Sequence, residues 1–224
     1  LDQRAIRRNW CVYKSNRGEF FVISYNIFPT TVGMFELDRE LTKSEIDFFL
    51  KQEKRPNQGN TTSVDNYILR KKQLKSLNKF IEDSVNTYLQ QIYAPKTDVE
   101  LYVTQSWLNF SEKGQFHHKH AHPNSFLSGV FYIEADPKKD KIYFFKEEYR
   151  QIKFEPREWN LSNSDSWWFE VATKKMVVFP SSLTHMVQTV EADNTRISLA
   201  FNTFFKGTCG LNENLTELIL GDKI

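Results

Sequence analysis

Two different hydrophobic periods divide the chain. Between residues 74 and 92 the apolar positions step by three and four, and Leu74, Leu77, Ile81, Val85, Tyr88 and Ile92 form one stripe with polar residues between them. That is the period of an amphipathic helix, closed by Pro95 and expected to pack on the outer face of a sheet. A shorter helix is signalled upstream, where Thr42-Lys43-Ser44-Glu45 has the capping-box pattern. Ile46, Phe49 and Leu50 then fall on one helical face. This helix is expected to fade near Lys54, because Arg55-Pro56-Asn57-Gln58-Gly59-Asn60 is loop chemistry. An earlier strand is expected over Phe20-Phe21-Val22-Ile23-Ser24-Tyr25, ending at Pro29.

Beyond Pro95 the period drops to two. Residues 99–110 alternate and are rich in β-formers. Further strands are expected over 126–133, 141–145, 167–170, 176–179, 185–190 and 196–205. Turn signals such as Glu112-Lys113-Gly114, Ala135-Asp136-Pro137 and Asp193-Asn194 separate them. Seven or eight short strands punctuated in this way predict a sandwich or jelly roll, preceded by helices. The 19 phenylalanines suit a two-sheet core filled by large side chains. Residues 149–166 are polar and rich in turn formers, the pattern of a mobile loop over a site.

Composition narrows the class. The chain has 224 residues, enough for one domain with a sizeable core. With 40% hydrophobic and 26% charged residues it reads as soluble and globular. The net charge is +2, and the basic residues are spread rather than blocked, so nucleic acid is not an expected partner. Short clusters such as Arg70-Lys71-Lys72 and Lys138-Lys139 read as solvated faces. No run approaches the ~20 apolar residues of a spanning helix. Leu1 to Trp10 is charged and lacks the apolar region of a signal peptide. The two cysteines, Cys11 and Cys209, sit at opposite ends, which disfavours a disulfide scaffold and fits a reducing, cytoplasmic compartment without membrane contact.

Candidate chemistry lies in the histidines. Four of the five fall within Phe116-His117-His118-Lys119-His120-Ala121-His122-Pro123, and the fifth is His185. In an extended segment residues i and i+2 share a side, so His118, His120 and His122 are expected to project together, with His117 opposite. Two imidazoles from one strand and a third from a distant one can hold one face of a divalent metal and leave the other open. Neutral imidazole suits iron, copper, nickel and zinc alike. The tract is also readable as a solvated loop. Eleven residues after His185 comes Arg196-Ile197-Ser198. A guanidinium and a hydroxyl two apart can together grip a carboxylate.

These residues resemble the Fe(II)/2-oxoglutarate-dependent oxygenases. The order matches: paired ligands two apart, a long gap, a distal histidine, then Arg-x-Ser. The local wording is similar to the prolyl-hydroxylase-like branch, where His-x-Asp follows a glycine by six residues. Here Gly114 leads at that distance to His120 and then His122. The stretches His120-Ala121-His122-Pro123-Asn124-Ser125 and Ser128-Gly129-Val130-Phe131-Tyr132 resemble a subgroup found in bacteria and tailed phages, including cyanophages. The resemblance covers about 99–205. It departs from the family at His122, which stands where a carboxylate is usual and leaves the site one charge more positive.

The resemblance implies a mainly β fold, a double-stranded β-helix (jelly roll, cupin-like) buttressed by α-helices. In one domain of 1–224, residues 1–98 supply N-terminal strands and supporting helices, 99–206 the catalytic core and 207–224 a C-terminal extension. It implies Fe(II) on His120, His122 and His185, with His118 a competitor. It places 2-oxoglutarate against Arg196, Ser198 and Tyr132, with O2 as oxidant. The implied reaction is hydroxylation of a C–H bond on a protein or peptide, or on a small molecule, with release of succinate and CO2. Trp107, Trp159, Trp167 and Trp168 are candidates for core packing or for the mouth of the site. Two other readings stay open: a three-His cupin-type dioxygenase or isomerase needing no keto acid, and a non-catalytic metal-containing binding module.

Overall fold

Side chains alternate along a strand, and that alternation sorts this protein's core into two layers. The computed structural model describes residues 26–148, 152, 154–191 and 193–221. The chain divides into the units Leu1–Thr31 and Val32–Ile224. Of the first, only residues 26–31 are described, and they are irregular. The strand expected over 20–25 and Cys11 lie outside the described residues.

The second unit begins with β1 (Gly33–Glu36), α1 (Lys43–Leu50), β2 (Lys54–Pro56), β3 (Thr61–Ser63) and α2 (Lys75–Tyr88). It continues through β4 (Glu100–Ser111), β5 (His117–His120), β6 (Leu127–Glu134), β7 (Lys141–Phe145) and β8 (Ser166–Glu170). It ends with β9 (Lys175–Pro180), β10 (His185–Val187), β11 (Arg196–Cys209) and β12 (Leu218–Leu220). The large sheet has the order β1-β9-β6-β11-β4-β3-β2, with β12 on β11. The small sheet has the order β5-β10-β7-β8, and the strand pairs are antiparallel. This is the expected mainly β double-stranded β-helix with helices on one side.

Each face of the large sheet has its own apolar cluster. Phe131, Met176, Val178, Ile197, Leu199 and Phe201 pack with the α2 stripe. Their neighbours Val130, Tyr132, Val177 and Phe179 pack instead with Ile142, Phe144 and Phe169 of the small sheet. The even positions of β11, beginning with Arg196 and Ser198, therefore face the space between the sheets. In β4 the alternation is broken by a bulge: Asn202 pairs with Gln105 but Thr203 pairs with Val103, leaving Thr104 as the extra residue. The bulge flips the parity. Leu108 and Phe110 join Leu101 and Val103 on the helix side, and Trp107 and Asn109 turn inward.

Several elements depart from the sequence reading. In α1 Phe49 is fully buried, but Ile46 and Leu50 are exposed. Glu45 takes the inward place instead, and its carboxylate accepts from both terminal guanidinium nitrogens of Arg39 and from the Thr42 N–H. Along α2 the stripe is buried as far as Tyr88, whereas Ile92 is exposed. The last turn, Leu89–Tyr93, is a π-helix, closed by the Ala94 N–H on the Leu89 carbonyl at 3.1 Å. One wider turn shifts the phase, so Leu89 is buried in place of Ile92. The expected loop at 55–60 is a hairpin of β2 and β3, with turn chemistry confined to Asn57–Asn60. Pro56 is tolerated because β2 is an edge strand. β10 stops at Val187, and β11 runs on to Cys209 because β12 pairs with its end. Among the described residues no helix is long and apolar enough to cross a membrane.

Candidate metal centre and carboxylate clamp

The three nominated imidazoles meet. β5 and β10 pair so that His120 lies opposite His185. His122 follows β5 on a turn, where its N–H donates to the Ser181 carbonyl at 2.9 Å. That turn is held by hydroxyls: Ser181 Oγ bonds Ser125 Oγ at 2.7 Å and Ser128 Oγ at 2.8 Å, and Ser128 Oγ donates to Asn202 Oδ1. Ring centroids are 4.4 Å apart for His120 and His185, 4.9 Å for His120 and His122, and 5.1 Å for His122 and His185. One ring nitrogen from each lies within 4.8 Å of the others.

Orientation and charge state both suit ligation. His120 Nδ1 lies 2.7 Å from the His118 carbonyl oxygen, and His185 Nδ1 lies 3.1 Å from that of Leu183. A carbonyl only accepts, so each Nδ1 carries the proton and each Nε2 lone pair is left free. Burial, reinforced by the neighbouring His120, pushes the pKa of His185 down to about 3 and that of His122 down to about 4. His120 is lowered too, chiefly by burial. All three imidazoles are therefore neutral near pH 7, the form that binds metal. Phe144 and Phe179 pack on the His185 ring and help keep it dry.

The expectation for His117 fails. Its ring does not turn to the opposite face but stacks on His120, with centroids 4.6 Å apart. The β5–β10 register shifts between His185 and Val187, and this irregularity cancels strict alternation. His117, His118 and His120 consequently form a second triplet that shares His120 with the first. In that triplet His118 Nδ1 is buried without a hydrogen-bond partner, so it lacks the orienting bond that His120 and His185 have.

The clamp residues also converge. Ser198 on β11 lies opposite Tyr132 on β6 and Asn109 on β4. Arg196 and Ser198 are each 2% exposed and Tyr132 is fully buried. The Arg196 guanidinium sits 5.9 Å from the centre of the Tyr132 ring. Arg196 Nε and Nη1 and the Tyr132 hydroxyl are all buried with no hydrogen-bond partner. Three such donors together are a site made for an acceptor, because an unanswered buried donor costs ~1–3 kcal/mol. Burial and the neighbouring His120 and His118 hold the His117 imidazole neutral, and the Arg196 charge adds to this.

The sequence reading missed one wall of the site. A cleft of about 660 Å³ opens beside His122, and Arg55, Tyr67 and Arg70 contribute to it. These residues precede the β-rich half, and Arg70 was expected on a solvated face. Of the four nominated tryptophans only Trp107 lines the cleft, with its ring 5.7 Å from His122. Trp159 and Trp168 are exposed. The described part of the 149–166 segment holds a tight turn at 160–163, where Asn160 and Asn163 bond each other's backbone N–H groups.

A family model described as "Putative 2OG-Fe(II) oxygenase" matches residues 105–202. No curated protein matches the chain. Among solved structures, a 2OG-Fe(II) oxygenase family oxidoreductase from Burkholderia pseudomallei is 16% identical, over 77% of this chain and 83% of that one, with a TM-score of 0.52. HygX from Streptomyces hygroscopicus, solved with nickel, 2-oxoglutarate and hygromycin B bound, is 9% identical, over 78% and 82%, with a TM-score of 0.53. At such identities the likeness is one of fold. Over residues 105–202 the chain is similar to the 2OG-Fe(II) oxygenase family, and that stretch holds His120, His122, His185, Arg196 and Ser198.

Proposed function

We propose that this oxygenase hydroxylates a C–H bond of a protein or peptide, with Fe(II) on His120, His122 and His185 and 2-oxoglutarate on Arg196, Ser198 and Tyr132. One observation carries the reading: the buried Tyr132 phenol, orphaned together with the Arg196 guanidinium beside it, belongs to the cluster of Phe144 and Phe179 that packs on His185 of the convergent imidazole triplet. A metal-binding module without a keto acid has no use for Arg196 Nε and Nη1 buried and unanswered. When bound, Fe(II) with 2-oxoglutarate and O2 supplies the oxidation, and succinate and CO2 leave.

The residues of the chain have distinct tasks. His120 and His185 present Nε2 because the His118 and Leu183 carbonyls hold their Nδ1 protons. Arg196 offers a two-pronged charged contact to the distal carboxylate, and Tyr132 adds a hydroxyl donor. Burial raises the pKa of Tyr132, so that hydroxyl keeps its proton and remains a donor. Phe144 and Phe179 exclude water from the His185 side. The third imidazole leaves the centre one charge more positive than two histidines and a carboxylate would, which favours an anionic chelating co-substrate.

The test is an anaerobic Fe(II) titration followed by 2-oxoglutarate. A weak visible charge-transfer band that grows with 2-oxoglutarate is expected, as is succinate formation in air. Fe(II) binding without the band, and turnover without succinate, would leave the three-His cupin-type alternative standing.

A further inference from the structure

The cleft beside His122 has an unusual charge. Arg55, Asn57, Arg70, Gln105, Trp107 and His122 line it, and no carboxylate does among the described residues. Both guanidinium groups are held in place by neutral partners. Arg55 Nη2 donates to Asn66 Oδ1 at 3.4 Å. Arg70 Nη2 donates to the Thr104 carbonyl at 3.2 Å, and its guanidinium lies 4.2 Å from the centre of the Tyr67 ring. Neither arginine has an acidic partner among the described residues.

The nearby acid is already engaged. Asp65 Oδ1 accepts the Tyr67 N–H at 2.7 Å, and Asp65 Oδ2 pairs with Lys71 at 2.6 Å. The local anion thus neutralises a lysine and leaves the arginine charges uncompensated. This wall is also built rather than loose. The Ser106 N–H donates to the Asn66 carbonyl and the Leu69 N–H donates to Ser106 Oγ, both at 2.9 Å. Those bonds tie the 66–70 segment to β4 just beside the bulge at Thr104.

We infer that the cleft takes a substrate carrying an anionic oxygen group, a carboxylate or a phosphate. Arg55 and Arg70 grip this group while the rest of the substrate reaches toward His122. The inference rests on the metal reading above, which makes His122 the reacting wall. Two arginines suit the role because a guanidinium makes planar, charge-assisted pairs with carboxylate and phosphate. Tyr67 gives an apolar face beside the Arg70 anchor and Trp107 one beside His122.

The experiment uses Mn(II)-loaded protein saturated with 2-oxoglutarate, titrated in a calorimeter at low salt. The probes are acetyl-Glu-Glu-Glu-amide, acetyl-Gln-Gln-Gln-amide and acetyl-phosphoserine-amide. At least one anionic probe is expected to bind about tenfold or more tighter than the glutamine peptide. The double variant Arg55→Gln/Arg70→Gln should erase that preference and leave 2-oxoglutarate affinity unchanged. The relative affinities of the two anionic probes tell an acidic side chain from a phosphate source. Equal binding of charged and neutral probes, no binding of either anionic probe, or a preference that survives in the double variant would overturn the inference. Failure of the wild-type protein to bind 2-oxoglutarate would instead strike the metal reading, which this readout keeps separate.

Discussion

His120 and His185 face each other across an antiparallel strand pair, with ring centroids 4.4 Å apart and each Nδ1 anchored to a backbone carbonyl. Two ligands pre-oriented by the backbone need little reorganisation to receive a metal. His120→Ala, His122→Ala and His185→Gln should each lower Fe(II) affinity by more than the ~10–100-fold that outer-shell partners carry. His117→Ala and His118→Ala should stay within about tenfold of wild type. Anaerobic equilibrium dialysis gives the ranking. If His117 and His118 prove as damaging as His122 and His185, the metal belongs to the other triplet.

Gly129 sits under the Phe201 ring: a Cβ built there would lie 2.3 Å from Phe201 Cζ. The backbone of β6 therefore needs a residue without a side chain to let β11 keep its phenylalanine in the helix-facing core. Gly129→Ala should destabilise the fold by ~1–3 kcal/mol through overpacking. In the Phe201→Leu background the same substitution should cost clearly less, and denaturant melts of the four proteins measure that coupling. Additive effects would mean that the ring gives way freely.

Glu45 makes the stability of the N-terminal region depend on pH. Burial by itself raises this carboxyl's pKa, but the Arg39 hydrogen bonds and the Thr42 N–H together hold it below the usual range. A folded-state pKa below the unfolded one means the unfolded chain binds more protons, so stability falls as pH falls. The Glu45 contribution should be complete above the ordinary carboxylate pKa and disappear as pH drops through the depressed one. Glu45→Gln should lose ~1 kcal/mol at pH 7, in the range of a lost cap, and flatten the acid limb of a pH–stability curve. A variant whose curve parallels wild type from pH 6 to pH 3 would contradict this.

Much of this was legible in the sequence, and the failures have physical causes. The capping box at Thr42, the α2 stripe through Tyr88 and the β-rich second half are local patterns, and each appears as expected. Spacing and resemblance single out His120, His122 and His185, whose rings converge, and Arg196, Ser198 and Tyr132, which lie buried on the paired strands β11 and β6. What alternation could not show were interruptions of phase. A π-helix turn exposes Ile92, a bulge at Thr104 turns Trp107 inward, and a register shift brings His117 onto His120. The cleft was invisible for another reason. Arg55 and Arg70 are ordinary surface residues in sequence, and it takes the pairing of the β2–β3 hairpin with β4 to bring Arg55, and the docking of 66–70 on Ser106 to bring Arg70, to the cleft beside His122.

Arg196 should trade stability for function. Its Nε and Nη1 are buried without partners, so the fold carries the desolvation of a charge with no local return. Arg196→Met fills similar volume without charge. Apo protein carrying it should be more stable by ~1–3 kcal/mol, with a Tm raised by roughly 2–4 °C per kcal/mol for a chain of this size. The same variant should bind 2-oxoglutarate at least tenfold more weakly while Fe(II) affinity is kept, because the carboxylate loses its charged partner. Wild type should regain the difference when 2-oxoglutarate is added, since a ligand that binds only the folded state stabilises it by mass action. Parallel melts of apo and co-substrate-loaded protein measure both halves. A variant less stable than wild type in the apo form, yet equal in 2-oxoglutarate binding, would make Arg196 a structural residue and remove the clamp from the site.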